Sequence, residues 1–228
     1  MELPKIDTSN LWDKTYSILK NQIIRRQFTP NEKISIPDLA DKLGVSRTPV
    51  RDALNRLEME GLVKTVSKVG TFVVAINPQD IMDIMDTRLM LEFWVIEKLA
   101  NVDPGVRQTA IANMENILLR SSQLIDADQV RDYLSADFNM AFHIEFMKIG
   151  QNQKNIDIYL KLMDYRYITM KSSIVTPDMA RAAQAQHEEI IDAMKNGTIE
   201  EIRKVIRLHL EDSQNRLLKV INDHGGTI

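Results

Sequence analysis

The chain has 228 residues, 44% of them apolar, with 29 Lys+Arg, 32 Asp+Glu and no cysteine; this suits one large or two modest domains and excludes disulfides and thiolate metal sites. No uninterrupted apolar run is long enough to span a bilayer, and Met1 to Asn10 is polar and lacks a signal-peptide core, so a cytoplasmic protein without a membrane partner is expected. A net charge of −3 speaks against nucleic acid, yet residues 1–76 hold 12 Lys+Arg against 9 Asp+Glu while residues 77–228 hold 17 against 23, the balance expected if only the front meets phosphate.

The first amphipathic helix is expected from about Leu11 to Arg26, with Trp12, Tyr16, Leu19, Ile23 and Ile24 on one side. A turn at Phe28-Thr29-Pro30-Asn31-Glu32 follows, then a short helix from about Pro37 to Leu43 that Gly44 stops. The next helix starts at Ser46, whose hydroxyl suits an N-cap, with Pro49 in the first turn, where a missing N–H costs little. Val50, Leu54 and Leu57 make its buried stripe. Two short helices joined by Leu43-Gly44-Val45 make a helix-turn-helix. Val63–Val66 and Thr71–Ala75, alternating and β-branched around Ser67-Lys68-Val69-Gly70, read as a hairpin.

Arg47 and Arg51 are four residues apart, so both guanidinium groups leave the front of the second short helix on one outward face. Taken alone, exposed arginines are most often solvated charge. At the start of the second helix of a helix-turn-helix they are placed to enter a DNA major groove and hold guanine edges.

Asn77-Pro78 is the domain boundary, giving domains at 1–76 and 77–228. The rear domain reads as all-α, with helices at roughly 79–101, 104–125, 128–149, 153–172, 178–196 and 198–222, and it is large enough to bury its own core. The expected architecture is therefore mainly α, a winged helix-turn-helix followed by an all-α bundle of six helices.

Histidine is scarce, at His143, His187, His209 and His224. Asn139 and His143 stand at i and i+4, which puts them on one helix face, while His187 and His209 fall on the last two helices. His224, near the tail, is assigned no role. A single helical histidine is usually packed and hydrogen-bonded. Arg88 sits among Ile84, Met85, Leu89, Met90, Leu91 and Trp94, and an arginine in apolar surroundings needs an anion, either a ligand or an internal partner such as Glu92. Arg166, between Tyr165 and Tyr167, is a second candidate for the same task.

Asp38-Leu39-Ala40, Leu43 to Arg51, Ala53-Leu54, Leu57-Glu58, Glu60 to Val63 and Gly70-Thr71-Phe72-Val73 closely resemble the winged helix-turn-helix of GntR-type transcription regulators. Arg88-Leu89-Met90-Leu91-Glu92, Phe142-His143 with Asn152, and the two later histidines resemble the FCD effector domain of the FadR-like branch. The resemblance implies a homodimer that reads a pseudo-palindromic operator in double-stranded DNA and acts more often as a repressor. It implies that Arg47 and Arg51 read bases, that Ser46 and Thr48 bond to phosphates, and that the wing tip with Lys68 and Gly70 enters the minor groove.

The same resemblance implies a divalent metal held by an acidic residue, a histidine four residues on, and one histidine on each of the last two long helices. Here those positions are Asn139, His143, His187 and His209, with a neutral amide replacing the usual aspartate. Three imidazoles suit Zn²⁺ or Ni²⁺ and leave a position for a carboxylate, and an amide oxygen is a poorer ligand than a carboxylate. The family's arginine matching Arg88 holds an acid effector, which implies a small carboxylate bridging metal and Arg88. An enzyme is not expected. The competing readings are a winged helix serving protein contacts, and a metal-dependent hydrolase that needs a general base; Glu145 and Glu188 adjoin histidines in sequence but should face elsewhere.

Overall fold

The computed structural model describes residues 9–24, 27–127, 129, 132–133, 136–169, 176–223 and 225, with the side chains of 9–10 and 164–169 outside that description. Two compact units divide at Asn77/Pro78.

In the first unit, α1 (Ser9–Ile24) buries Leu19 and Ile23. Lys33–Ile34 forms β1, α2 is Ile36–Leu43 and α3 is Arg47–Met59. Ser35 caps α2 by accepting from the Asp38 N–H, and Pro37 occupies the first turn, where its absent N–H leaves no bond unmade. Gly44 ends α2 at φ 65°, a left-handed conformation that costs glycine nothing. Val45 N–H then reaches back to the Ala40 carbonyl at 3.0 Å, which turns the chain sharply into α3. On α3, Pro49, Val50, Ala53, Leu54 and Leu57 are buried.

α1 braces α3 from behind. Arg56 donates to Asp13 Oδ1 at 2.8 Å and lies 3.9 Å over the Tyr16 ring, and the Tyr16 hydroxyl donates to Glu60. Burial and the Glu60 carboxylate hold the Tyr16 hydroxyl above its ordinary pKa, so it stays a donor.

The hairpin is β2 (Val63–Val66) and β3 (Gly70–Val73), paired antiparallel with Val63 opposite Val73 and Val66 opposite Gly70. β3 is the middle strand of a three-stranded sheet, since β1 pairs Lys33 with Phe72 and Ile34 with Thr71 on its other side. Sequence reading missed β1. Two residues carry no period of their own, and pairing with β3 is what makes them a strand.

The second unit contains α4 (Pro78–Lys98), α5 (Pro104–Asp126), α6 (Phe138–Lys148), α7 (Gln153–Thr169), α8 (Pro177–Asn196) and α9 (Ile199–Asp223). Asp103 and Thr176 cap α5 and α8, each followed by proline in the first turn. Thr198 and Glu201 form a reciprocal cap on α9: Glu201 accepts from the Thr198 N–H at 2.6 Å and the Glu201 N–H donates to Thr198 Oγ1 at 3.3 Å. α4 packs against α6, α7 and α9, α5 against α6 and α8, and α8 against α9.

One predicted helix is corrected. The expected 128–149 helix does not run through: α6 begins only at Phe138, because Asp137 stands at φ 49° and accepts from the Met140 N–H as its cap. An aspartate tolerates that left-handed conformation through its short capping side chain. The apolar spacing of Tyr133, Phe138 and Phe142 hides this break, since all three are buried anyway.

Candidate functional site

In the first unit the exposed residues cluster where the helix-turn-helix expects them. Ser46, Arg47, Thr48 and Arg51 are all exposed, while Pro49 and Val50 between them are buried. The two arginines share the solvent face at the front of α3 because the opposite face is pinned by Val50, Leu54 and Leu57. Ser46 occupies the N-cap position with φ −71° and ψ 165°, yet its side chain makes no capping bond. The expected hydroxyl cap is thus corrected; the backbone adopts the cap geometry and the exposed hydroxyl is left outside the helix. Lys68 is exposed at φ 62° on the hairpin tip. Gly70 stands at φ 145° against Lys33, whose Cε would lie 2.6 Å from a Cβ added there.

In the second unit, three histidines distant in sequence meet. His143 on α6, His187 on α8 and His209 on α9 are 1%, 3% and 2% exposed, and one ring nitrogen from each lies within 4.8 Å of the others. His143 Nε2 and His209 Nε2 are 3.1 Å apart. The His187 ring stacks on Phe142 at 4.1 Å between centroids, which fixes its plane. Burial, reinforced by the His187, His143 and Arg88 charges, holds His209 well below its ordinary pKa, so it is neutral and keeps a lone pair for a Lewis acid. A set of three buried, converging imidazoles has the donor chemistry of a Zn²⁺ or Ni²⁺ site.

Around this group lies a second layer. Glu92 and Arg88 on α4 are both wholly buried. Glu92 Oε1 accepts from Arg88 Nε at 2.8 Å and from the Tyr159 hydroxyl at 2.7 Å, and lies 3.3 Å from His143 Nδ1. Burial alone would lower Arg88, but Tyr159 and Glu92 outweigh it and hold the guanidinium above its usual value. On the far side, His209 Nδ1 lies 3.0 Å from Gln186 Oε1, and Gln186 Nε2 donates to Asp212 Oδ2 at 2.8 Å.

Of the two readings of Arg88, the internal pair with Glu92 is present, but it engages Nε alone. Nη1 and Nη2 of Arg88 and Oε2 of Glu92 are buried without a hydrogen-bond partner among the described residues. Asn139 lies one turn before His143 on α6 and is half-buried. The Arg166 side chain and His224 lie outside the described residues. Glu145 pairs with Lys148 and Asn113, and Glu188 is exposed beside Gln184, so neither faces the histidines. Sequence reading missed Tyr159 and Gln186, and it saw Glu92 only as a partner for Arg88. The spacing Arg88–Glu92 at i, i+4 was a signal for one pair; nothing in the sequence signalled that α7 and α8 bring Tyr159 and Gln186 alongside.

A winged helix-turn-helix followed by an all-α unit with a buried trihistidine group defines a DNA-binding transcription regulator with a separate effector domain. The family model for bacterial regulatory proteins of the gntR family matches residues 11–73, and that for the FCD domain matches residues 83–212. The chain belongs to the gntR family of bacterial regulators that carry an FCD domain, a family of regulators rather than enzymes. It is 27% identical over 233 residues to the Uxu operon regulator of Haemophilus influenzae, covering 92% of this chain and 85% of that protein. It is 26% identical over 200 residues to the HTH-type transcriptional repressor GlaR of Escherichia coli, covering 86% and 90%. Among solved structures, a GntR transcriptional regulator from Rhodococcus sp. RHA1 superposes with a TM-score of 0.73 at 20% identity, covering 92% of this chain and 98% of that one. Escherichia coli McbR/YncC superposes with 0.69 at 18%, covering 92% and 97%. At such identities the structures speak for the fold alone. Among the described residues no helix is long and apolar enough to cross a membrane.

Proposed function

We propose that this regulator is a homodimeric, cytoplasmic repressor whose effector domain, residues 77–228, holds a divalent metal and a small carboxylate, and whose domain at 1–76 reads a pseudo-palindromic operator. The single observation that carries the metal reading is the convergence of His143, His187 and His209, buried to within 4.8 Å at one ring nitrogen each. Those three residues hold the ion, with Asn139 as a neutral and weaker fourth donor. Zn²⁺ or Ni²⁺ supplies positive charge and an open coordination position. Arg88 offers Nη1 and Nη2 to the same anion, in a buried setting where a charge-assisted bond is strong.

On the DNA side, Arg47 and Arg51 read base edges, Ser46 and Thr48 hold phosphates, and Lys68 and Gly70 present the wing tip to the minor groove. Repression is supported by the repressor GlaR, which is similar over most of its length. Switching requires the effector to favour one arrangement of the dimer. A 1:99 to 99:1 swing takes about 5.5 kcal/mol of differential affinity. A winged helix serving protein contacts alone leaves the exposed arginine pair on α3 without a task.

Two measurements test the proposal. Metal analysis of tag-free protein is expected to give about one ion per chain, and a gel shift on the upstream region of its own gene is expected to survive competitor DNA. Equal metal in wild type and in His143→Ala/His187→Ala removes the metal site; equal binding to random duplex removes the operator.

A further inference from the structure

The trihistidine group poses a question that its own three rings do not answer: what decides which nitrogen of each imidazole carries the proton. A neutral imidazole donates from one nitrogen and offers a lone pair at the other. Only a lone pair binds metal.

On the α4 side, Glu92 Oε1 faces His143 Nδ1 at 3.3 Å. That oxygen already accepts from Arg88 Nε and the Tyr159 hydroxyl, so it stands as an acceptor toward His143 too, which puts the proton on His143 Nδ1 and the lone pair on Nε2. On the α8 side the direction is set from further out. Asp212 accepts from Gln186 Nε2 at 2.8 Å, which orients the amide. Its oxygen therefore faces His209 Nδ1 at 3.0 Å and again calls the proton to Nδ1. The two Nε2 lone pairs are then turned toward each other at 3.1 Å. Two acceptors at that distance repel, and a shared cation relieves them.

We infer that Glu92 and Gln186 are positioning residues that hold His143 and His209 in the Nδ1–H tautomer and so aim both Nε2 lone pairs at one point. This rests on the proposed metal reading and adds two residues to it. Outer partners of ligating histidines commonly fix ring orientation and raise ligand basicity, and losing one costs about 10–100-fold in metal affinity. Glu92 does more than Gln186. The same oxygen also takes Arg88 Nε and the Tyr159 hydroxyl, so one carboxylate ties a metal ligand to the arginine proposed for the effector.

The test uses the full chain, Zn²⁺ alone as the probe, and ¹⁵N spectra of the imidazole rings in metal-free protein. Gln186 is half-buried, so Gln186→Leu leaves the fold in place. It is expected to weaken Zn²⁺ binding about tenfold or more and to remove the dominance of the Nδ1–H form at His209. Removing Glu92 alone strands the Arg88 charge, so its arm uses two double variants. Arg88→Met/Glu92→Gln keeps an acceptor for His143, and Arg88→Met/Glu92→Leu does not. The glutamine pair is expected to bind Zn²⁺ about tenfold more tightly than the leucine pair and to retain the His143 Nδ1–H signal; a purely packing role makes the two alike. If Zn²⁺ affinity or the ring spectra stay unmoved in Gln186→Leu and in the leucine pair, the assignment is overturned. Should wild-type protein hold no Zn²⁺, the metal reading fails, and the spectra of the metal-free rings still decide whether Glu92 and Gln186 set the tautomers.

Discussion

His143 Nε2 on α6 and His209 Nε2 on α9 lie 3.1 Å apart inside the helical unit, at residues separated by 66 positions. Such closeness between two buried rings follows from helix packing, and under the proposed metal reading it makes metal occupancy a stability term. A ligand that binds only the folded chain stabilises it by about 2.7 kcal/mol at a hundred times its Kd. Adding Zn²⁺ to chelator-treated protein is therefore expected to raise Tm, and His143→Ala/His187→Ala is expected to abolish the rise. Calorimetry with and without chelator measures it.

Arg88 and Glu92 make a wholly buried ion pair on α4. Breaking a buried pair by removing one partner costs about 3–5 kcal/mol, because the other charge is stranded. Arg88→Ala is expected to lose that much stability in urea unfolding, before any effector is added. Arg88→Met/Glu92→Gln, which removes both charges, is expected to recover most of it. A single variant as stable as wild type contradicts the pairing.

Arg47 and Arg51 stand exposed on one face of α3, opposite the buried Val50, Leu54 and Leu57. Arg47→Ala or Arg51→Ala is expected to cost about 1–3 kcal/mol of operator binding and to relax preference at particular base pairs. Binding to a panel of single-base operator variants reads both effects. Unchanged affinity and unchanged preference sink this docking.

Lys68 is exposed on the hairpin tip, where the proposed docking brings its charge to the duplex. Lys68→Ala is expected to weaken binding to all sequences about equally and to lower the slope of log affinity against log salt by about 0.9. Titrations at several salt concentrations check it; a sequence-dependent loss contradicts the phosphate role.

The cap on α9 titrates. Hydrogen bonds from the Thr198 backbone and side chain hold Glu201 below its ordinary pKa. A carboxylate lowered in the folded state contributes stability above its unfolded value, near 4.5, and loses it as pH falls through the lower folded value. Thr198→Ala, which removes the side-chain bond and keeps the backbone one, is expected to lower stability at neutral pH and to flatten this acid limb in part. Thermal unfolding from pH 3 to 7 shows whether the two chains converge in acid.

Local signals carried much of this molecule. Gly44 between two short amphipathic stretches, Pro104 and Pro177 after capping residues, and the β-branched run around Lys68 each act within a few residues, so the elements they mark are visible before folding. The exposed front of α3 was legible for the same reason, since Val50, Leu54 and Leu57 choose the buried side and Arg47 and Arg51 must take the other.

Other features depend on partners far along the chain. Lys33–Ile34 is a strand only because β3 lies beside it. The break at Asp137 is masked by buried aromatics on both sides of it. Tyr159 and Gln186 join the site through α7 and α8, and no spacing announces them.

By itself, the sequence determined the order of the helices, the winged motif, and which rare side chains were available for chemistry, because periodicity, caps and breakers are short-range. The tertiary structure alone decided that His143, His187 and His209 share one buried point, that Glu92 serves both Arg88 and His143, and that Gln186 faces His209. Those relations arise when helices from distant parts of the chain pack and exclude water, and buried polar groups must then find partners across helices rather than along them.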